Sequence, residues 1–167
     1  KLHYTTTPGK RGKFEFGAVW DAAGEGDDAT VLCYGVTSTS ALAAAEMLTE
    51  NGIEVAVVNA RFAKPIDRDM VEAAFAAGGP IVTVEDHSVS GGFGSAVLET
   101  AQEMGLTAAR IVRLGMPTDR FIAHGSRPGQ LAECGIDATG IAATVQRLME
   151  SPHEAESNAP PLDARAL

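Results

Sequence analysis

Residues 80–105, PIVTVEDHSVSGGFGSAVLETAQEMG, contain the pattern that is most informative about the fold class. A near-continuous apolar run is followed by a glycine-rich turn and then by apolar residues at helical spacing. The run predicts a strand buried on both faces, and the spacing predicts an amphipathic helix over residues 95–105. A buried strand that leads directly into a helix is typical of the βαβ units that build parallel sheets.

The same succession of strand and helix recurs on both sides of this stretch. Apolar runs of strand length predict buried strands at residues 30–36, 53–60, 80–86 and 109–116. Helical spacing predicts further helices at residues 38–52, 68–79, 130–135 and 136–150. A Ser/Thr cluster at residues 38–40 and the carboxylates of Asp67 and Asp137 are predicted to cap three of these helices.

Residues 13–21, KFEFGAVWD, predict a strand of a different kind. Their apolar residues alternate roughly, and the short turn GEGDDA at residues 24–29 leads directly into the strand at residues 30–36. Two strands joined by a tight turn pair in the antiparallel sense. The expected fold class is therefore α/β, with a three-layer, doubly wound, mostly parallel sheet of about five strands and one antiparallel edge strand.

The folded domain is expected to occupy residues 14–150. Residues 1–13 are polar and contain Gly and Pro, which is typical of a linker. Residues 151–167 are polar, Pro-containing and aperiodic, which predicts a disordered tail. The chain opens with Lys1 in place of Met, which is expected of a piece cut from a longer protein.

Composition and charge exclude several classes of partner and setting. The net charge of −9 argues against nucleic acid or an anionic membrane as a general partner. No apolar run is long enough to span a bilayer, and the first residues contain no signal-peptide core. The two cysteines, Cys33 and Cys134, form no metal-spaced cluster, and a reduced, cytoplasmic setting is expected. Both thiols are interpreted as packing groups, because neither has a base nearby in the sequence.

The glycine turn resembles a phosphate-binding loop but matches neither common motif. A dinucleotide fingerprint would need a third small residue where Val97 follows Gly92 and Gly94. A Walker loop would need a lysine where Ser95 follows Gly94. Two interpretations stay open: glycines that let the chain turn and the helix start lie close to a neighbour, or an anion site built from helix N–H groups and Ser95.

Glu85, Asp86 and His87 follow the strand at the edge of the sheet where α/β proteins gather ligand sites. A carboxylate beside a histidine can act as general acid and base. The same residues can instead cap a helix or make hydrogen bonds at an interface. Both interpretations remain open from the sequence.

Two further polar stretches are weaker candidates. The loop at residues 117–129 is either an interaction loop or a solvated one, because it combines glycines with polar and charged residues: Asp119, Arg120, His124, Ser126 and Arg127. GEGDD, taken with Asn51 and Asn59, is similar in composition to a magnesium–diphosphate site. Because GEGDD precedes a strand, a hairpin turn is the alternative interpretation.

Four segments together resemble one known family: VLCYGV, VVNARFAKPID, TVEDHSVSGGFGSAVLE and MPTDRFIAHGSRPGQLAECGIDATGIAATV. They are similar, over roughly residues 14–148, to the C-terminal domain of the 1-deoxy-D-xylulose-5-phosphate synthases. This family lies within the transketolase-like thiamine diphosphate enzymes, which include transketolases and the beta subunits of 2-oxo acid dehydrogenases.

The resemblance implies a non-catalytic domain of a larger enzyme. Such synthases have a first domain that binds the cofactor diphosphate and Mg²⁺, a second that binds its pyrimidine ring, and a third that this chain resembles. The whole enzyme condenses pyruvate with glyceraldehyde 3-phosphate with loss of CO₂, for isoprenoid and thiamine biosynthesis. GEGDD departs from the family's Gly-Asp-Gly metal motif, so no catalytic, cofactor-binding or metal-binding residue is carried over.

The resemblance also implies the partners of this domain. They are the pyrimidine-binding and diphosphate-binding domains of the parent enzyme and a second subunit of a homodimer. The residues expected to contact a neighbour, or to support such contacts, are Glu85, His87, Gly91, Gly92, Gly94, Ser95, Asp119, Arg120 and His124. The alternatives are the corresponding domain of a transketolase or of a 2-oxo acid dehydrogenase beta subunit, and a free-standing nucleotide- or phosphate-binding module.

Overall fold

Four parallel strands and five helices alternate along the part of the chain that the structure, a computed structural model, describes: residues 26–107 and 110–150. The elements are β1 (Ala29–Tyr34), α1 (Thr37–Thr49), β2 (Val55–Asn59), α2 (Arg68–Ala76), β3 (Ile81–Ser88), α3 (Phe93–Glu103), β4 (Ile111–Met116), α4 (Arg127–Glu133) and α5 (Ala138–Glu150). The strand order is β2-β1-β3-β4, and every pair is parallel. The predicted α/β class with a doubly wound parallel sheet is confirmed.

Helices cover both faces of the sheet, as the near-continuous apolar strands require. On one face, Val31 of β1 and Val84 of β3 pack in a core with Leu48 of α1 and Ile141 of α5. On the other face, residues such as Leu32 and Ile81 pack against α2 and α3. Successive strand residues point to opposite faces, so each strand contributes to both cores.

The strand order places a topological switch point between β1 and β3. The chain leaves β1 towards β2 on one side and leaves β3 towards β4 on the other. In open α/β sheets, ligands bind beyond the carboxyl ends of the strands at such a point. The candidate residues at the end of β3 and in the turn that follows it lie there.

Several predicted details need correction. β4 is not a fourth fully buried strand, because it pairs only with β3 within the described ranges, and most of its side chains are half-buried or exposed. The predicted Ser/Thr cap of α1 is wrong, because Val36 occupies the cap position and makes no side-chain cap bond. α3 begins at Phe93 and α4 at Arg127, both earlier than predicted.

The two predicted carboxylate caps are confirmed. Asp67 accepts hydrogen bonds from the N–H groups of Asp69 and Met70 at the start of α2. Asp137 accepts one from Gly140 at 2.9 Å, at the start of α5. The predicted strand at residues 13–21, the linker and the tail lie outside the described residues and stay predictions.

Candidate functional site

Glu85 lies at the centre of the candidate site and is almost fully buried, with 1% of its surface exposed. Its Oε2 accepts a hydrogen bond from the N–H of Phe93 at 2.7 Å, and its Oε1 accepts one from Gly94 at 2.9 Å. Both donors belong to the first turn of α3, where the helix dipole favours a negative charge. The geometry therefore supports the capping interpretation of Glu85, because each carboxylate oxygen accepts one N–H group of the helix start.

The glycines allow α3 to begin against β3. A Cβ added to Gly92 would overlap with Oε2 of Glu85 and with the carbonyl oxygen of Ser88. A Cβ added to Gly94 would overlap with the hydroxyl of Thr83. Gly91 adopts a left-handed conformation with φ +71°. The predicted close approach of the helix start to its neighbour is confirmed.

Ser95 closes the turn with three hydrogen bonds. Its hydroxyl accepts from the N–H of Gly91 at 3.1 Å and from Arg113 Nη1 at 2.7 Å. It donates to the carbonyl oxygen of Val89 at 3.0 Å. The same Arg113 nitrogen also donates to that carbonyl oxygen, at 2.8 Å. Because the chain already uses these groups, together with the N–H groups bound by Glu85, the anion-site interpretation has little geometric support.

Arg113 is a site residue that sequence reasoning missed. It lies on β4, opposite Thr83 of β3, and the order of the strands is what brings it to the turn. The one sequence signal was an arginine within an otherwise apolar strand, which is compatible with any edge strand. The pairing of β3 with β4 also shifts register between Val84 and Ser88, where Glu85 turns towards α3.

Asp86 links the end of β3 to the start of α4. Its carboxylate pairs with the guanidinium of Arg127, with 3.2 Å between Nη1 and Oδ1 and a second contact between Nη2 and Oδ2. Hydrogen bonding to Asp86 raises the pKa of Arg127 above its ordinary value. The structure therefore brings the turn after β3 and the loop after β4 to one edge of the sheet. His87 is exposed at this edge, with Nδ1 at 3.4 Å from the carbonyl oxygen of Ser88.

The loop after β4 is tied to the helix that follows it. Arg120 donates from Nη1 to Oε1 of Glu133 at 2.6 Å and from Nη2 to the Glu133 carbonyl oxygen at 3.0 Å. Asp119 and His124 are exposed on the same loop. Phe121 is fully exposed, with a relative exposure of 101%. Sequence reasoning gave Phe121 no role, although an aromatic residue directly after Asp119 and Arg120 was visible.

The acidic turn before β1 lies at the opposite end of the sheet. Asp28 Oδ2 accepts a hydrogen bond from the N–H of Glu54 at 2.8 Å, ahead of β2. Asn59 lies at the carboxyl end of β2, so the structure does not join it to this turn. Within residues 26–107 and 110–150, no group of three or more His, Cys, Asp or Glu side chains could hold a metal ion. These residues do not fit a Mg²⁺–diphosphate site.

The two thiols are packing groups, as predicted. Cys33 is fully buried, and its burial raises the pKa of the thiol to about 12. Cys134 is half-buried at the end of α4 and packs against the core, and burial also raises its pKa. A thiol with a raised pKa is a poor nucleophile at neutral pH. None of the described helices is long and apolar enough to cross a bilayer.

The fold described above is that of a known class of protein. Residues 19–141 match the model of the transketolase C-terminal domain, and the chain belongs to that family.

Curated relatives give a narrower resemblance. The chain is 47% identical over 125 residues to 1-deoxy-D-xylulose-5-phosphate synthase 1 of Geobacter sulfurreducens, covering 75% of this chain and 20% of that protein. It is 44% identical over 130 residues to the 1-deoxy-D-xylulose-5-phosphate synthase of Bacillus velezensis, covering 78% and 20%. The resemblance drawn from the four sequence segments is confirmed. The chain spans about a fifth of the length of these relatives.

Solved structures agree with the family. A split-gene transketolase, in an inactive beta4 tetramer, has a TM-score of 0.70 and 32% identity, covering 79% of this chain and 42% of that one. A transketolase of Pichia stipitis has a TM-score of 0.53 at 18% identity, covering 78% and 18%, and shows the fold alone.

Proposed function

We propose that this chain serves as the C-terminal domain of a 1-deoxy-D-xylulose-5-phosphate synthase and contributes domain packing and dimer assembly. The parent enzyme condenses pyruvate with glyceraldehyde 3-phosphate, with loss of CO₂, in the cytoplasm. The identity of up to 47% to synthases of that name supports this parent over a transketolase or a dehydrogenase beta subunit. The split-gene transketolase is less similar, at 32% identity.

The observation that carries the proposal is the state of the polar groups at the switch point. The hydroxyl of Thr37 is 2.9 Å from the carbonyl oxygen of Tyr34 and 3.0 Å from that of Val84, between the ends of β1 and β3. Glu85 caps α3, and Asp86 pairs with Arg127. A switch point where such groups are paired within the chain is suited to packing against another protein surface. It is poorly suited to holding a reacting substrate.

The cofactor of the parent enzyme would be thiamine diphosphate with Mg²⁺, held by its other two domains. The described residues of this chain do not fit the diphosphate or the metal, because they supply no cluster of ligands and because Glu85 occupies N–H groups at the start of α3. This occupancy also weighs against the free-standing phosphate-binding module. The proposed partners are the diphosphate-binding and pyrimidine-binding domains and a second subunit, with no nucleic acid and no membrane.

The test replaces residues 119–125 by a Gly/Ser linker of equal length in the full-length protein. This variant keeps Ser126, which caps α4, and Arg127. We expect weaker dimers in sedimentation velocity and a lower rate of synthase product formation. A linker replacement of the turn at residues 51–52, at the other end of the sheet, is the matched control. Unchanged dimer stability and activity in the loop variant would contradict the proposal.

A further inference from the structure

The turn between α1 and β2 contains a dipeptide that can react without a catalyst. Asn51 is followed by Gly52, and both residues are exposed. The other two asparagines of the chain, Asn59 and Asn158, each precede an alanine. Glycine has no side chain to hinder its N–H group, and it reaches backbone conformations that other residues avoid. The nitrogen of Gly52 can therefore approach the side-chain amide carbon of Asn51 more readily than an alanine nitrogen could.

An attack of this kind converts the asparagine amide into an acid. The Gly52 nitrogen gives its proton to solvent and forms a bond to Cγ of Asn51. The bond between Cγ and Nδ2 breaks, and the amide nitrogen takes up a proton and leaves as ammonia. Water then opens the resulting cyclic imide at either of its carbonyl groups, which yields aspartate or isoaspartate. The net reaction consumes water and releases ammonia, and it needs no oxidant or reductant.

In the folded chain, both reacting groups are hydrogen-bonded to the last turn of α1. Nδ2 of Asn51 donates to the carbonyl oxygen of Met47 at 2.9 Å. The N–H of Gly52 donates to the carbonyl oxygen of Thr49 at 2.9 Å. Gly52 has φ +74°, the left-handed conformation with which many helices end. The attacking nitrogen and the leaving amide are each held by a carbonyl group of the helix, so the reaction requires the turn to open.

The opening that the reaction requires is local. A third hydrogen bond closes the turn, from the N–H of Ile53 to the carbonyl oxygen of Leu48 at 3.0 Å. The side chain of Ile53 packs against the core, whereas Asn51 and Gly52 are exposed. Exposed helix ends open at a much smaller free energy than the core does. The folded chain is therefore expected to react in proportion to the fraction of time that this turn is open.

The product would weaken the same turn. A carboxylate has no N–H group to donate to the carbonyl oxygen of Met47. It also places a negative charge at the carboxyl end of α1, where the helix dipole disfavours one. Glu50 and Glu54 are exposed on either side of the dipeptide and add to the repulsion. An isoaspartate would in addition lengthen the main chain and displace Gly52 from its position in the turn.

We propose that Asn51 is a site of spontaneous deamidation, which reacts with Gly52 and water when the turn after α1 opens, and whose acidic product favours the open turn. The turn lies at the amino end of the sheet, because α1 runs from the carboxyl end of β1 back to the start of β2. The site is thus separate from the candidate site at the carboxyl end, and its reaction is independent of the proposed function.

Peptide mass spectrometry of the full-length protein, aged in native buffer and in urea, tests the proposal. In both samples, the peptide that contains Asn51 is expected to become acidic faster than the peptide that contains Asn59. Conversion at Asn51 is expected to be about tenfold or more slower in native buffer than in urea, because hydrogen bonds to the helix must first break. Asn59 is a matched control, since the N–H of Ala60 that would attack it donates to the Cys33 carbonyl oxygen within the sheet.

Variants separate the reaction from its consequence. Asn51→Gln keeps a side-chain amide but places its carbon further from the Gly52 nitrogen, and it is expected to lose labelling by an isoaspartate methyltransferase. Asn51→Asp reproduces the aspartate product and is expected to speed hydrogen exchange of the Ile53 amide about tenfold. Gln102→Glu makes the same change from amide to acid at an exposed position of α3, and is expected to leave that exchange unchanged.

Three results would count against the proposed site. Native conversion of Asn51 at the rate seen in urea would show that the turn gives no protection, and would overturn its gating role. Native conversion of Asn51 no faster than that of Asn59 would overturn the site itself. Unchanged exchange at Ile53 in Asn51→Asp would contradict the weakening of the turn by the product. These measurements use neither dimerisation nor synthase activity, so they leave the proposed function to its own test.

Discussion

The chain makes two strand-to-helix junctions at the switch point. The side chains at one junction bind backbone N–H donors, and those at the other bind backbone carbonyl acceptors. At the β3–α3 junction, the Glu85 carboxylate accepts hydrogen bonds from two N–H donors of the helix. At the β1–α1 junction, the Thr37 and Ser38 hydroxyls instead bond to carbonyl oxygens of the strand ends and of Gly35. The β3–α3 junction therefore provides an acceptor for helix N–H groups, and the β1–α1 junction provides donors for carbonyl oxygens of the strands and the turn.

The difference shows how two neighbouring junctions can resemble ligand sites although several of their polar side chains are already hydrogen-bonded within the chain. A helix start with no side-chain cap, as at Val36, normally offers N–H groups to an anion. Here Val36 itself is apolar and exposed, and the hydroxyls beside it are already hydrogen-bonded. Buried polar groups stabilise a fold when they are paired, which both junctions achieve by different means.

The largest expected effect is that of Gly92→Ala, which tests the close approach at the β3–α3 junction. The added methyl group would overlap with the Glu85 carboxylate and the Ser88 carbonyl group. We expect the free energy of unfolding to fall by about 3 kcal/mol, because a packed site must shift to admit it. Gly91→Ala is the control, since its Cβ would meet no atom within 4 Å. Gly91→Ala is expected to lower the free energy of unfolding by about 1 kcal/mol, because alanine is strained in the left-handed conformation of this position. Urea denaturation measures both, and equal losses would contradict the close approach.

Glu85→Ala is expected to have the next largest effect. It leaves the N–H groups of Phe93 and Gly94 without their acceptor in a buried site, and we expect a loss of about 2–3 kcal/mol. Ser126→Ala removes the exposed cap of α4 and is expected to cost about 1 kcal/mol. Thermal and urea unfolding compare the two caps. If Glu85→Ala lowered the free energy of unfolding no more than Ser126→Ala does, a buried cap would not be stronger than an exposed one.

Two buried threonines give a matched pair with opposite expected signs. Thr37→Val removes a hydroxyl that bridges the ends of β1 and β3, and we expect a loss of about 1–2 kcal/mol. Thr83 is fully buried, and its hydroxyl makes no hydrogen bond in the described structure. Thr83→Val is therefore expected to stabilise the chain by about 1 kcal/mol. A stability loss in Thr83→Val, measured by urea unfolding, would mean that its hydroxyl is bonded.

The smallest expected effect concerns the thiol at the end of β1. Burial raises the pKa of Cys33 from 9.0 to about 12, so the folded state favours the uncharged thiol. Its contribution to stability is complete below pH 9 and is lost as pH rises towards 12. At pH 10 we expect about 1 kcal/mol less stability than at pH 8 from this group. The free energy of unfolding of Cys33→Ala should fall less steeply between pH 8 and pH 10 than that of the wild type. Parallel pH dependences of the two proteins would contradict a raised pKa of Cys33.

Much of the architecture could be predicted because its signals are local. Apolar runs, helical spacing and the Asp67 and Asp137 caps lie within short stretches of the chain, and the structure confirms them. The edge position of β4 among the four described strands could not be predicted, because strand order depends on which strands pair across the sheet. The cap of α1 was wrongly predicted because hydroxyls can bond either to helix N–H groups or to nearby carbonyl groups, and the sequence does not select between them.

The alternation of strands and helices, the family, and the glycines that let α3 begin close to β3 all follow from the sequence alone. The role of Glu85 follows only from the folded structure, because its cap depends on the orientation of its side chain towards α3. The same holds for Asp86 and Arg127, which are 41 residues apart. Local patterns specify which elements form, since backbone preference and apolar periodicity act over a few residues. The pairing of distant polar groups depends on strand order and register, which only the assembled sheet specifies.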